Sequence, residues 1–180
     1  MSANEHQFKP PLWAEDGFRE NEWRRTDESE ALEIGEKLIL PLEIFLALDP
    51  ATREKAGGRI GVEVLPGETI DRLVPYLDRL PLIALAFPAY NDGRSYSKAQ
   101  LLRSRYGYRG ELRATGDVLF DQVAHMLRCG FSTLEVTHEL TRARLEAGDN
   151  GGIPLYYQPA TRPAARGRFS WRRLSDSALS

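Results

Sequence analysis

From Arg59 onward, short apolar runs alternate with stretches whose apolar positions recur every three or four residues. Ile60–Leu65 (IGVEVL) is a short run rich in β-branched residues and reads as a strand. Thr69–Leu80 carries apolar residues at 70, 73, 74, 77 and 80, a helical spacing that Pro81 ends. Leu82–Phe87 (LIALAF) is apolar without interruption, as expected of a strand covered on both faces. Ser95–Tyr106 reads as a helix with Ser95 or Ser97 as its N-cap and Gly107 as its stop. Glu111–Ala114 reads as a strand. Val118–Arg128 reads as a helix capped by Asp117 and closed by Gly130. Phe131–Thr137 then reads as a strand, His138–Ala147 as a helix and Ile153–Gln158 as a further strand or extended segment.

Short connections between such elements imply parallel strands with right-handed crossovers. The expected fold is α/β: a parallel sheet of about four to five strands with covering helices. An open three-layer sheet and a partial β/α barrel both fit. Upstream, Leu38–Leu48 (LILPLEIFLAL) is apolar enough to be core. Pro41 argues against a central strand there and suits the first turn of a helix over 41–48. The chain thus divides into a polar N-terminal arm (1–37), a single α/β domain (38–159) that opens on that helix, and a basic tail (160–180). The N-terminal part is expected to be a helical arm, whose Trp13, Phe18 and Trp23 can pin it to the body or to a partner.

Composition narrows the class. At 180 residues with 42% hydrophobic and 28% charged positions, the chain can bury one domain-sized core. Its single cysteine, Cys129, excludes an internal disulfide and suits a reducing cytoplasm. No secretory h-region and no bilayer-length apolar run is visible, so a cytoplasmic location is expected. A net charge of −2 makes any electrostatic argument local.

The local argument lies between residues 94 and 113, where Arg94, Lys98, Arg103, Arg105, Arg109 and Arg113 face one acid, Glu111. In parallel α/β folds, sites form in the loops after the strands. That rim would present Asp92, Gly93 and Arg94 after the second strand and Gly116 and Asp117 after the third. A helix N-terminus beside an arginine can hold a small anion through backbone N–H groups and the guanidinium fork. Asp92, Gly93, Arg94, Arg103, Arg113, Gly116 and Asp117 are therefore the candidate residues for binding an anion or an acidic partner. The plainer reading makes Asp92 and Asp117 helix caps and pairs the arginines with nearby acids. Arg113 and Glu111 share one strand face and suit an inward ion pair.

Other chemistries lack support. His125 and Cys129 have a spacing that can share a metal, without a second pair of ligands. Neither GxGxxG after a strand nor GxxxxGK[ST] nor GxSxG occurs, so no cofactor or metal and no catalytic set is assigned. Tyrosines 90, 96, 106 and 108 interleave with arginines as in nucleic-acid binders, but the acidic balance elsewhere counts against that partner.

The run DGRSYSKAQLLRSRYGYRGELRATGDVLFDQVAHMLRCGF (92–131), preceded by Phe87–Pro88 and followed by Tyr157, Gln158 and Pro159, resembles a bacterial family of unknown function. That family is commonly encoded beside the siroheme-containing sulfite reductase and often labelled an oxidoreductase of sulfite reduction. The likeness spans most of 38–158. It implies an accessory role in assimilatory sulfite reduction, with the reductase or its electron donor as partner and electrons or sulfite as what is delivered. It brings no catalytic residues. The alternative is a small-molecule enzyme whose β-to-α loops form an anion-binding rim.

Overall fold

A computed structural model describes residues 9–27, 35–89 and 92–152. The strand expected at 153–158 and the basic tail lie outside the described residues.

Eight strands form one mixed sheet. They are β1 (Leu12–Ala14), β2 (Gly17–Arg19), β3 (Trp23–Arg25), β4 (Lys37–Pro41), β5 (Ile60–Val64), β6 (Leu82–Phe87), β7 (Glu111–Gly116) and β8 (Thr133–Glu135). The order is β2-β1-β8-β7-β6-β5-β4-β3. From β3 to β8 all neighbours are parallel and follow chain order; the hairpin β1–β2 joins β8 antiparallel. This corrects the expectation of an all-parallel sheet of four to five strands. It also corrects the expected helical arm, since residues 12–25 supply three strands. Trp13, Phe18 and Trp23 are strand residues, and burial of Trp13 and Trp23 fixes this segment in the sheet.

The helices are α1 (Leu42–Ala47), α2 (Pro50–Ala56), α3 (Arg94–Ser104), α4 (Phe120–Cys129) and α5 (Glu139–Glu146). Pro41 ends β4 at the step into α1, so the apolar run 38–48 divides between a strand and a helix. The segment expected as a helix over 69–80 is instead a 3-10 turn, Ile70–Tyr76. Pro75 lacks the N–H that an α-helix would need there, and the shorter repeat still buries Ile70 and Leu73. In α4, Val123, Met126 and Leu127 make one buried stripe, and Gly130 ends the helix with φ of 104°.

Parallel strands in unbroken sequence order, joined by right-handed crossovers, put the connecting helices on one face. The main core lies there. It takes alternate strand residues: Leu38 and Leu40, Val62 and Val64, Ile83, Leu85 and Phe87, Leu112 and Ala114, and Leu134. The opposite face carries the intervening residues, and the sheet curls around it. Arg25 on β3 reaches Glu135 on β8 at 2.8 Å, although five strand steps would separate them by about 24 Å in a flat sheet. The curl is possible because the inner face is lined in the middle by small residues, Gly61, Ala84 and Ala86. At Gly61 the space of a Cβ is already filled, 2.8 Å from Leu82 Cδ2. Trp23, Ile39, Leu82 and Ala84 form a small apolar cluster on this inner face.

Candidate functional site

The inner face is charged where a core would be apolar. Alternation along β7 sends Glu111, Arg113 and Thr115 inward, and β8 adds Thr133 and Glu135. Arg113 is 0% exposed. Its Nε and Nη2 donate to Glu111 Oε1 at 3.0 and 2.8 Å, and its Nη1 donates to Asn21 Oδ1 at 2.9 Å and Glu135 Oε1 at 3.3 Å. Arg25 bridges two further strands, with Nε to Glu63 Oε1 at 2.9 Å and Nη1 to Glu135 Oε2 at 2.8 Å. Thr115 and Thr133 hydroxyls donate to Glu63 at 3.2 Å and Glu111 at 2.5 Å. Two guanidiniums and three carboxylates thus form one chain of contacts, Glu63–Arg25–Glu135–Arg113–Glu111. Burial alone would lower the Arg25 pKa, but the hydrogen bond and charge of Glu135, with those of Glu63, outweigh it and leave it raised. Buried ion pairs are seldom more stabilising than apolar residues of the same volume. Such an array therefore needs a reason other than stability.

The array forms the floor of a cavity of about 600 Å³ at the C-terminal ends of the parallel strands. Arg25, Glu63, Thr115 and Glu135 line it from below, Gly116, Asp117 and Thr137 from the loops after β7 and β8, and Ala86–Pro88 and Pro10 from the sides. Gly116 is required at this mouth. Its φ is 90°, and a Cβ would stand 2.4 Å from the Phe87 carbonyl oxygen. Asp117 N–H donates to that same oxygen at 2.7 Å, locking the two strand ends together. Arg25 Nη2 is buried with no acceptor among the described residues. An unfilled guanidinium donor of this kind costs about 1–3 kcal/mol.

The residues singled out in the sequence are dispersed. Gly116 and Asp117 line the cavity and Arg113 lies beneath it. Asp117 does not cap α4, whose N-cap is Leu119. Asp92 and Arg94 are absent from the cavity wall and grip each other, with Arg94 Nε and Nη2 on the two carboxylate oxygens at 2.9 and 2.7 Å. The Arg94 side chain is 64% exposed. Its hydrogen bond holds the Asp92 pKa at about 2. Gly93 is the N-cap of α3, while Ser95 turns inward and donates to Ala86 O at 2.7 Å. Arg103 serves the backbone, donating to the carbonyls of Gly130, Tyr108 and Gly110 at 2.9, 2.7 and 2.8 Å. It clamps the turn that leads into β7.

Sequence reasoning missed Arg25, Glu63 and Glu135. The signal for two of them was an acid inside an apolar strand, IGVEV and TLE. For Arg25 no signal existed, because its segment read as an arm. His125 Nε2 lies 3.7 Å from Cys129 Sγ. Burial raises the thiol pKa, which leaves the thiol unactivated, and lowers that of the imidazole. Among the described residues no three of His, Cys, Asp and Glu converge as metal ligands, and no helix is long and apolar enough to cross a membrane.

Among curated proteins the chain has no match. A family model described as "Bacterial protein of unknown function (DUF934)" matches residues 61–166, a span that holds Glu63, Glu111, Arg113, Gly116, Asp117 and Glu135. With more than half of its length matched, and with the strands that carry most of this array inside the match, the chain belongs to that bacterial family.

Proposed function

We propose that the mouth of the curled sheet binds a small polar molecule and is the working site of a small-molecule enzyme. The observation that carries this is the Glu63–Arg25–Glu135–Arg113 array at the floor of a cavity, at the strand ends where such folds place chemistry. Glu63, Glu135 and Asp117 stand in the wall against one guanidinium, Arg25. The wall therefore suits a ligand that donates hydrogen bonds or carries positive charge. A bare oxyanion would meet more carboxylates than guanidiniums. Glu63 or Asp117 is the acid or base of this reading. The Arg25 contact fixes the direction in which the Glu63 carboxylate points.

The pathway proposed for the protein is assimilatory sulfite reduction, beside the siroheme sulfite reductase, with a ligand other than sulfite itself in this cavity. Its support is the likeness of residues 92–131, and the exposed Arg94, paired with the half-buried Asp92 outside the cavity, is the surface through which a partner would be met. Complementation of a deletion strain tests both parts. Growth that fails on sulfate and sulfite and returns on sulfide places the protein at the sulfite step. Glu63→Gln is expected to fold and fail to complement. Full complementation by Glu63→Gln and by Arg25→Lys would overturn the site, and normal growth of the deletion strain on every sulfur source would overturn the pathway.

A further inference from the structure

A second cavity, of about 510 Å³, opens beyond the opposite ends of the strands, between α2 and the 3-10 turn Ile70–Tyr76. Its floor is apolar, with Ile60 and Leu80 buried at the starts of β5 and β6. Its wall is aromatic: the rings of Phe45 and Tyr76 meet edge to face at 5.3 Å between centroids. On this wall rests the Arg53 guanidinium, 4.9 Å from the Tyr76 centroid and 5.6 Å from that of Phe45. Nε and Nη2 of Arg53 both donate to the Leu48 carbonyl, which fixes the plane of the group. Among the described residues its Nη1 has no acceptor, and neither Arg53 nor Arg79, also in the wall, has a carboxylate partner. Elsewhere in the molecule arginines such as Arg25, Arg72, Arg94 and Arg113 are paired with acids. Two guanidiniums without an ion-pair partner among the described residues share one concavity with a single acid, Glu54. At Gly57 and Gly58 a Cβ would meet nothing within 4 Å, so the backbone leaves the side of the cavity open.

From this arrangement we infer that the cavity is a binding site for a flat aromatic molecule carrying a carboxylate or phosphate. The ring lies on the apolar floor and the Phe45–Tyr76 wall. The anion takes Arg53 Nη1 and the Arg79 fork. A guanidinium pinned on aromatic rings keeps its charge, is weakly hydrated and is already oriented, so little is lost when it takes an acceptor. The volume falls in the ordinary range for small-molecule sites. The reading is independent of the site at the other end of the sheet.

The test is titration of the full chain with phenyl phosphate, followed by calorimetry and by amide shifts, with inorganic phosphate and benzyl alcohol as the half-ligands. Saturable binding is expected, at least about tenfold tighter than either half-ligand, with shifts at Gly57, Gly58 and Tyr76. Arg79→Ala, at an exposed side chain that holds nothing else in place, should weaken it by about tenfold or more. Arg79→Lys should recover part of the loss, and Glu63→Gln should leave binding unchanged. Absence of saturation in the millimolar range, equal binding of inorganic phosphate, or equal affinity in Arg79→Ala would each overturn the inference.

Discussion

Replacing Arg113 with methionine removes the centre of the buried array while keeping an unbranched apolar stem. Breaking one partner out of a buried ion pair costs about 3–5 kcal/mol, because the remaining charge is stranded. The geometry sets the value at the lower end. Glu135, only 3% exposed, keeps Arg25 at 2.8 Å. Glu111 is partly open to solvent and keeps the Thr133 hydroxyl at 2.5 Å. Asn21 Oδ1 keeps the Trp23 N–H at 3.2 Å. The stranded charge is thus mainly that of Glu111, and the expected loss is about 3 kcal/mol. For a chain of this length that lowers Tm by roughly 6–12 °C. Urea unfolding followed by circular dichroism gives the value directly, with an unchanged m-value marking an intact native state. Adding Glu111→Gln to Arg113→Met should return part of the loss, since the orphaned charge goes with it. A loss below about 1 kcal/mol would refute the reasoning, for it would mean that the array is solvated and that Arg113 is not its centre.

Three further outcomes follow from the same contacts. Gly116→Ala must hold a side chain at φ of 90° against the Phe87 carbonyl. It should lose about 2 kcal/mol or more in urea and deform the cavity mouth. Arg103→Met removes three donors to backbone carbonyls. It should lose about 2–3 kcal/mol while leaving the cavity residues in place, visible as unchanged amide shifts at Gly116 and Thr137. The Asp92 carboxyl should titrate by NMR at about 2, and Arg94→Ala should move it up toward its ordinary value. Because the folded pKa is depressed, the contribution of this pair is fully present above the ordinary carboxylate value and disappears as pH falls through about 2.

What was legible from the chain alone was local. Short apolar runs placed β5, β6 and β7, and helical spacing with its stop signals placed α3, α4 and α5, within a few residues, because strands covered on both faces read as continuous apolar runs and helices bury one stripe. Pairing of Glu111 with Arg113 was also legible, since residues two apart on a strand share a face. Three things depended on the tertiary structure. β1–β3 are three residues each, too short to carry a pattern, and exist because the sheet offers them edges to pair with. The Ile70–Tyr76 turn shows the apolar spacing of an α-helix that Pro75 does not permit. The site itself was the least legible part. Arg25 and Glu135 are 110 residues apart in the chain and five strands apart in the sheet, and no periodicity within one element reports a contact made by curvature. The positive run at 94–113 dispersed for the converse reason. Neighbours in sequence faced different ways, so Arg94 went to the surface, Arg103 to the backbone and Arg113 to the interior. Sequence determined which residues each element would bury; the curl of the sheet decided which charges would meet.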